Sequence, residues 1–510
     1  MPLPLLMPTA LGLLQHQARR RGTAGGVWFE DRHTPFGALA DAATELAGWL
    51  VQRGLGAGDP VGVMAANAPG LVAMLYAVWG IGGVVVPLSV RSTADETANL
   101  LAHARARALL CDVPRSDLAR AAAVAASVPA YACALEVPLT PRIIRRGTPG
   151  RRNGPRAPQP AHLAAIAYTS GSTGAPKGVR LSHANFWWAT FACAQARGDT
   201  PDGIGACLSL LTHTPVLVSH LLCKLVLGAT AVLFEKFDTQ ALLAAVARHR
   251  ITDVPLIGGM VFDVVQMGEV PAAVRETVRK VSVGGAPTPM ASKRRLAEIF
   301  PQAEIIEAYG QTESTDGVLM ARGQSVLERE GTVGQMNPHV IVGLRRPDGR
   351  LVDGDGEEGE IVISGPTVMD GYHRNPTATT AALQDGWLHT GDVGRRDADG
   401  YFFLTGRVKD LIISGGENVS PAEVEDALRL HPDVADVAVI GTPHPKWGEQ
   451  VTAVVVRRPG TTVDGDALGT FAATKLAGFK KPRRVEFVAA LPRNAYNKVQ
   501  THVLKRQFAD

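Results

Sequence analysis

The chain is short of the residues that mark secreted, zinc-bound, membrane-spanning or nucleic-acid-binding proteins. It holds only 5 cysteines in 510 residues. These (Cys111, Cys133, Cys193, Cys207 and Cys223) are odd in number and nowhere spaced C-x-x-C. That argues against a disulfide framework or a cysteine-built zinc site and fits free thiols in a reducing compartment. No apolar run approaches the ~20 residues needed to span a bilayer. The opening MPLPLLMPTALGLLQHQARRRG carries its arginines behind the apolar residues, and early prolines interrupt it, which is the wrong order for a secretory leader. A cytoplasmic protein without an integral membrane segment is expected. Charge of one sign is also missing: the net charge is +4, so the total implies no nucleic-acid partner.

Hydrophobic content of 46% and charged content of 20% are those of a globular protein, and 510 residues are too many for one compact core. Residues 36–135 alternate helical and strand-like periods, with helices over 36–54, 71–80 and 94–108 and strands over 60–65, 83–88 and 108–112. This βαβ rhythm predicts mostly parallel, helix-covered sheets. The same rhythm resumes after residue 180, with helices over 184–197, 220–227 and 239–249 and strands over 229–234 and 253–257. Residues 331–405 change texture: short β-rich pieces separated by PDG, DGDG and DADG turns predict a small, strongly bent sheet or distorted barrel. Beyond Gly406 a helix, two strands, a helix and a strand predict a small α+β domain. The expected division is therefore 1–405 and 406–510. Residues 141–160 contain six arginines and no acid among prolines and glycines, and read as an exposed, poorly ordered connector.

The most telling stretch is Tyr168 to Gly178, YTSGSTGAPKG. Glycines let a backbone approach a polyanion, hydroxyl and N–H groups donate to it, and Lys177 adds a positive charge. The order of residues departs from G-x-x-x-x-G-K-[ST], since Pro176 precedes the lysine and Gly178 follows it. Other segments carry chemistry in the same direction. EAYGQTE (307–313) offers an aromatic face, a hydroxyl and a hard carboxylate. GWLHTGDVG (386–394) places Asp392 at a turn, and TGRVKDLIISGGENVSPAEVE (405–425) combines a charged stretch with a glycine pair. In that last segment Ser420 and Pro421 also read as an ordinary helix start.

These segments, together with VGGAP (283–287) and LPRNAYNKVQ (491–500), resemble in order and separation the adenylate-forming enzymes: acyl- and aryl-CoA synthetases, amino-acid-adenylating domains and firefly-type luciferases. The resemblance runs from about residue 10 to 507. It implies a large N-terminal domain and a small, mobile C-terminal one, with ATP, Mg²⁺ and coenzyme A as cofactors and cosubstrates. The implied chemistry is attack of a carboxylate on the α-phosphorus of ATP, then transfer of the acyl group to a thiol.

By the resemblance, Lys498, Lys177, Thr312 and Glu313 are catalytic, with Glu313 and Thr173 serving the ATP-bound metal. Thr169, Ser170, Gly171, Ser172, Thr173 and Gly174 wrap the phosphates. Gly285, Ala286, Pro287, Ala308, Tyr309 and Gly310 lie along the adenosine, which Asp392 and Arg407 hold from the ribose side. Lys409 is the hinge, and Ser414, Gly415 and Gly416 line the thiol tunnel. One departure stands before the catalytic lysine: Asn497 replaces the family's usual glycine, although asparagine also tolerates positive φ.

The implied acyl pocket contains His213, Val216, Gly258, Gly259, Met260, Gly284 and Gln311, with Ser219 and His220 beside them. It is small or apolar in character and holds no arginine. This disfavours a dicarboxylate, although LPRNAYNKVQ is similar to the ending of malonyl-CoA synthetases. It also lacks an aspartate for an α-amino group. A hydrophobic acid (fatty, aromatic or polycyclic) is expected, with CoA as acceptor. The alternative is a ligase loading an acyl carrier protein, which the arginine-rich connector or Lys224 could dock. A luciferase-like oxygenase and a catalytically silent adenylate-binding protein are weaker readings. Lys224, within HLLCKLVLG, is expected to snorkel to the surface. A monomer or homodimer fits.

Overall fold

The computed structural model describes residues 9–147, 154–169, 176–285, 288–407, 412–414, 417–419, 421–444, 448–476, 478, 480–493 and 499–509. The chain divides into two compact units. The first comprises residues 1–170, 176–342 and 363–388; the second comprises 171–175, 343–362 and 389–510.

The first unit is built on two sheets. One runs in the order Gly371–Tyr372, Lys177–Ser182, Leu163–Thr169, Val84–Pro87, Pro60–Met64, Ala108–Asp112, Ala130–Cys133 and Arg142–Arg145. Its middle is parallel, and the strands VVVP and ALLCD are buried along nearly their whole length and apolar except for the terminal Asp112, as expected where helices cover both faces. The helix Phe36–Gln52 forms because Phe36, Leu39, Ala43, Leu46 and Leu50 recur on one stripe, and all five are buried. A capping box from Thr93 and Glu96 starts the helix Ala94–Ala104. Thr9 Oγ1 caps Ala10–Arg21 by accepting from the Gly12 N–H at 3.0 Å.

The other sheet carries Thr332–Met336, Gly317–Arg322, Glu304–Gly310, Lys280–Gly284, Asp253–Ile257, Ile204–Cys207, Thr230–Leu233, Gly26–Phe29 and Arg32–Pro35. The strands Glu304–Gly310, Lys280–Gly284, Asp253–Ile257 and Ile204–Cys207 are parallel neighbours. The loops leaving their carboxyl ends therefore emerge side by side, the usual ligand position on such sheets.

The second unit contains the expected small β-structure, with Ile341–Arg345, Glu358–Ser364, Trp387–Arg396 and Phe402–Arg407 adjacent in that order. It also contains the α+β module: the long hairpin Val434–His444 and Gly448–Arg457, flanked by Arg484–Phe487 and the helices Pro421–Arg429 and Gly465–Ala473. Its core is a cluster of Val424, Leu428, Val437, Val439, Val451, Val455 and Leu468.

Two expectations are corrected here. Part of the arginine-rich segment is ordered: Arg142–Arg145 is an edge strand against Ala130–Cys133, and Arg145 donates to the Val128 carbonyl. Ile143 and Ile144 supply the β-branched residues that a composition dominated by Arg, Pro and Gly conceals. Nor does Lys224 snorkel. Its side chain is 1% exposed and ion-paired with the buried carboxylates of Asp199, at 2.9 Å, and Asp253.

Candidate active site

Antiparallel pairing of Leu163–Thr169 with Lys177–Ser182 brings Thr169 opposite Lys177 and so closes the glycine-rich loop at its base. Residues Ser170, Gly171, Ser172, Thr173 and Gly174 of that loop lie outside the described residues. From the base, the Lys177 Nζ stands 5.1 Å from the centroid of the Tyr372 ring. The hydroxyl of the same tyrosine donates to Glu313 Oε1 at 2.9 Å. The fold thus gathers Lys177 and Glu313 around a residue that the sequence reading did not single out.

The segment carrying Tyr372 is stitched down at almost every position. Asn185 Nδ2 donates to the carbonyls of Pro366 and Val368 at 2.8 and 2.9 Å. Thr315 Oγ1 donates to the Thr367 carbonyl at 2.6 Å, and the Met369 N–H donates to the Glu313 carbonyl at 2.9 Å. Gly371–Tyr372 then pairs with Val179 and Arg180 as an edge strand. Thr315 is fully buried and adopts a φ of +68°, a conformation that a β-branched residue rarely takes. Such strain beside Glu313 and the buried Thr312 is typical of a functional turn. Burial, reinforced by the neighbouring Glu313 carboxylate, pushes the Tyr372 phenol up, so it stays a proton donor.

Gly284 and Ala308 are register partners on adjacent strands, and a Cβ on Gly284 would meet the Ala308 carbonyl at 2.9 Å. Gly285 follows at φ +73°. A Cβ on Gly285 would press on Ile257 Cγ2 at 3.1 Å, so both positions favour glycine. Tyr309 is buried, Gly310 is exposed, and Gln311 is half-buried, its N–H donating to Ser314 Oγ at 3.1 Å. The exposed Gly258 and Gly259 and the half-buried Met260 follow the neighbouring strand, and Ser209 Oγ reaches Met260 Sδ at 3.8 Å. Asn67, which the sequence reading passed over, clamps the loop that leads to His213: its Nδ2 donates to the Ser209 carbonyl at 2.7 Å and its Oδ1 accepts from the Leu211 N–H at 2.9 Å. His213 is half-buried at the start of a short helix, and Val216 is buried. The expected helix over 220–227 starts earlier, running through Thr214–Val216, a π-helical stretch Leu217–Leu222 and Cys223–Leu227, and π turns are frequent at functional sites.

His220 within this stretch is 4% exposed, and its Nδ1 has no hydrogen-bond partner among the described residues. Burial, aided by the Arg197 charge, pulls its pKa down to about 3. The folded value lies below the unfolded one, so the neutral ring's contribution to stability is full above about pH 6.5 and is lost as pH falls toward 3. A His220→Leu variant is expected to lose about 1.4 kcal/mol less per pH unit than the parent between about pH 6 and 4. Melting curves across that range measure the difference, and parallel curves would refute it.

In the second unit Asp392 and Arg407 are register partners on paired strands. The turn before Asp392 is held by Glu360, which accepts from the Gly391 N–H at 2.9 Å and pairs with His389 at 2.7 Å. Ser414 is buried at the end of Ile412–Ser414. Ala286, Pro287, Lys409, Gly415, Gly416 and Lys498, the expected cap Ser420 and the side chain of Arg407 lie outside the described residues.

No group of three or more His, Cys, Asp or Glu side chains able to hold a metal occurs among the described residues. The donor set at Glu313 nevertheless suits Mg²⁺ brought by a nucleotide. Such an ion takes one or two carboxylates and completes its octahedron with phosphate oxygens and water. Glu313 Oε1 accepts one hydrogen bond from Tyr372, and the carboxylate's other lone pairs, those of Oε2 among them, suit a cation.

Comparison with known proteins identifies the family. Residues 14–373 match the AMP-binding enzyme family, and 423–498 match the AMP-binding enzyme C-terminal domain. The chain is 35% identical to a feruloyl-CoA synthase of Amycolatopsis sp over 93% of its own length and 94% of the relative. It is 31% identical to an indoleacetate–CoA ligase of Aromatoleum aromaticum, with 94% of each chain covered. Among solved structures it resembles ATP-bound MatB from Rhodopseudomonas palustris with a TM-score of 0.86, at 29% identity over 98% of this chain and 99% of that one. A TM-score of 0.86 also relates it to the o-succinylbenzoate CoA synthetase MenE of Bacillus subtilis with its acyl-adenylate, at 27% identity over 98% of both chains. With both its large and its small region matched, the chain belongs to the AMP-binding enzyme family.

Proposed function

We propose that the protein is an AMP-forming acid–CoA ligase whose substrate is a hydrophobic, preferably aromatic, carboxylic acid. The carrying observation is the convergence of Lys177 and Glu313 on Tyr372 at the base of the glycine-rich loop. In the first half-reaction a carboxylate oxygen attacks the α-phosphorus of ATP and the bond to pyrophosphate breaks. Positioning and charge stabilisation do most of this work. Lys177 and the loop hydroxyls hold the departing phosphates, Glu313 fixes the nucleotide's cation, and Lys498 bridges the carboxylate and the α-phosphate. Asp392 and Arg407, side by side on their strands, take the ribose side. In the second half-reaction the 406–510 region turns about Lys409, withdrawing Lys498 and bringing in the loop of Ser414, Gly415 and Gly416. A thiolate then attacks the acyl carbon, and AMP leaves.

The preference for an aromatic acid is supported by the glycine- and methionine-lined strip after the parallel strands and by the names of the feruloyl and indoleacetate relatives. The five cysteines are all buried and free, which suits a reducing compartment, and no described helix is long and apolar enough to cross a membrane. Acid-dependent ATP–pyrophosphate exchange tests the reading. Aryl and aryl-alkenoic acids should exceed malonate by about tenfold or more, the scale of a few kcal/mol of pocket discrimination. Thioester should form with free CoA. Malonate as the best substrate would overturn the pocket assignment.

A further inference from the structure

We propose that Tyr372 is a positioning residue that holds the cation-binding carboxylate of Glu313 and the phosphate-binding ammonium of Lys177 in one geometry while keeping them from pairing with each other; this rests on the reading of the site given above. A lysine and a glutamate that must both act on one nucleotide face a conflict. In a shared, partly dry cleft their strongest available partner is the opposite charge next door. A direct salt bridge would spend the ammonium needed for the phosphates and the carboxylate needed for the cation.

Tyr372 resolves this by offering each a neutral partner. Its hydroxyl donates to Glu313 Oε1 at 2.9 Å, which orients the carboxylate, leaves its negative charge intact and keeps Oε2 for the cation. Its ring faces Lys177 Nζ at 5.1 Å, within the range where the π-face attracts a cation without neutralising it. The tyrosine backbone is fixed independently: the Tyr372 N–H donates to Thr379 Oγ1 at 2.9 Å, and the strand pairing with Val179 continues into the His373 N–H bond to the Gly178 carbonyl at 2.6 Å. Hydroxyl and ring can therefore be altered without releasing the segment. Groups of this kind behind a cation ligand typically influence affinity by about 10–100-fold.

Two substitutions separate the contacts. Tyr372→Phe keeps the ring and removes the hydroxyl; Tyr372→Leu removes both. Calorimetric titration of the full-length protein with a non-hydrolysable ATP analogue, with and without Mg²⁺, reads each contact apart from turnover. For Tyr372→Phe, Mg²⁺-dependent nucleotide binding should weaken by about tenfold, Mg²⁺-free binding should be unchanged, and raised Mg²⁺ should recover the exchange rate. Tyr372→Leu should weaken Mg²⁺-free binding as well. In a Glu313→Gln background the Phe change should add nothing further. Equal losses with and without Mg²⁺ in the Phe variant, or no loss in either, would overturn the proposal. A parent protein that binds Mg²⁺ and nucleotide but exchanges pyrophosphate with no acid would overturn the function instead, leaving the calorimetry to judge Tyr372.

Discussion

Lys498→Ala is expected to lose acid-dependent pyrophosphate exchange by at least about 10²–10³-fold, the loss typical when one transition-state donor is removed. The same variant should form thioester from supplied acyl-adenylate and CoA at close to the parent rate. The asymmetry follows from what each half-reaction asks of a cation. When two anions, the carboxylate and the α-phosphate, must meet, a positive charge between them lowers the barrier directly. When a thiolate attacks the mixed anhydride, the nucleotide is the leaving group and that particular repulsion is absent. Lys177 behaves differently on this view, because its partners are the pyrophosphate oxygens that depart in the first step. Single-turnover measurement of both half-reactions on one preparation decides the matter. Equal losses in the two would remove Lys498 from its role and with it the swivelling of the 406–510 region. The neighbouring Asn497 gives a milder companion test, since Asn497→Gly should match or exceed the parent rate if the lysine is delivered on a positive-φ turn.

The parts of this molecule legible from sequence are those whose information is local. The strand Ala108–Asp112 and the helix Thr239–His249 coincide with their predicted bounds because a few consecutive side chains decide them. The glycine-rich loop and the EAYGQTE segment could be read for the same reason: glycine, hydroxyl and charge stand within a few residues of one another. Tyr372 was not legible because its significance exists only once an edge strand lies beside Lys177 and a separate turn delivers Glu313. Nothing in the run VMDGYHRNP points to either partner. Asn67 escaped notice likewise, since it fixes a loop more than a hundred residues further along. The arginine-rich stretch misled for the opposite reason. Its composition spoke for disorder, while two adjacent β-branched residues, Ile143 and Ile144, were enough to extend a sheet edge.

Lys224 is the clearest such case, and replacing it by methionine is expected to destabilise the first unit by about 3–5 kcal/mol at neutral pH. Within HLLCKLVLG a lysine reads as a long stem reaching for water. Here instead Gly205 leaves room for that stem, since a Cβ at Gly205 would lie 2.7 Å from Lys224 Cε. The ammonium ends between two carboxylates drawn from distant parts of the chain, Asp199 and Asp253. Burial alone would lower its pKa, yet the carboxylates outweigh burial and raise it. Asp199 has further cations in Arg197 at 3.5 Å and Lys280 at 3.1 Å, so it tolerates the loss. Asp253, itself 2% exposed, is paired only with Lys224 among the described residues. Methionine keeps the volume and removes the charge, so the penalty is that of one stranded carboxylate rather than of a cavity. One consequence distinguishes this from simple misfit. Asp253→Asn added to Lys224→Met should restore most of the loss, giving a strongly non-additive cycle in denaturant titrations. A variant not rescued by the asparagine would show that the site is a packing position and that its charges are incidental.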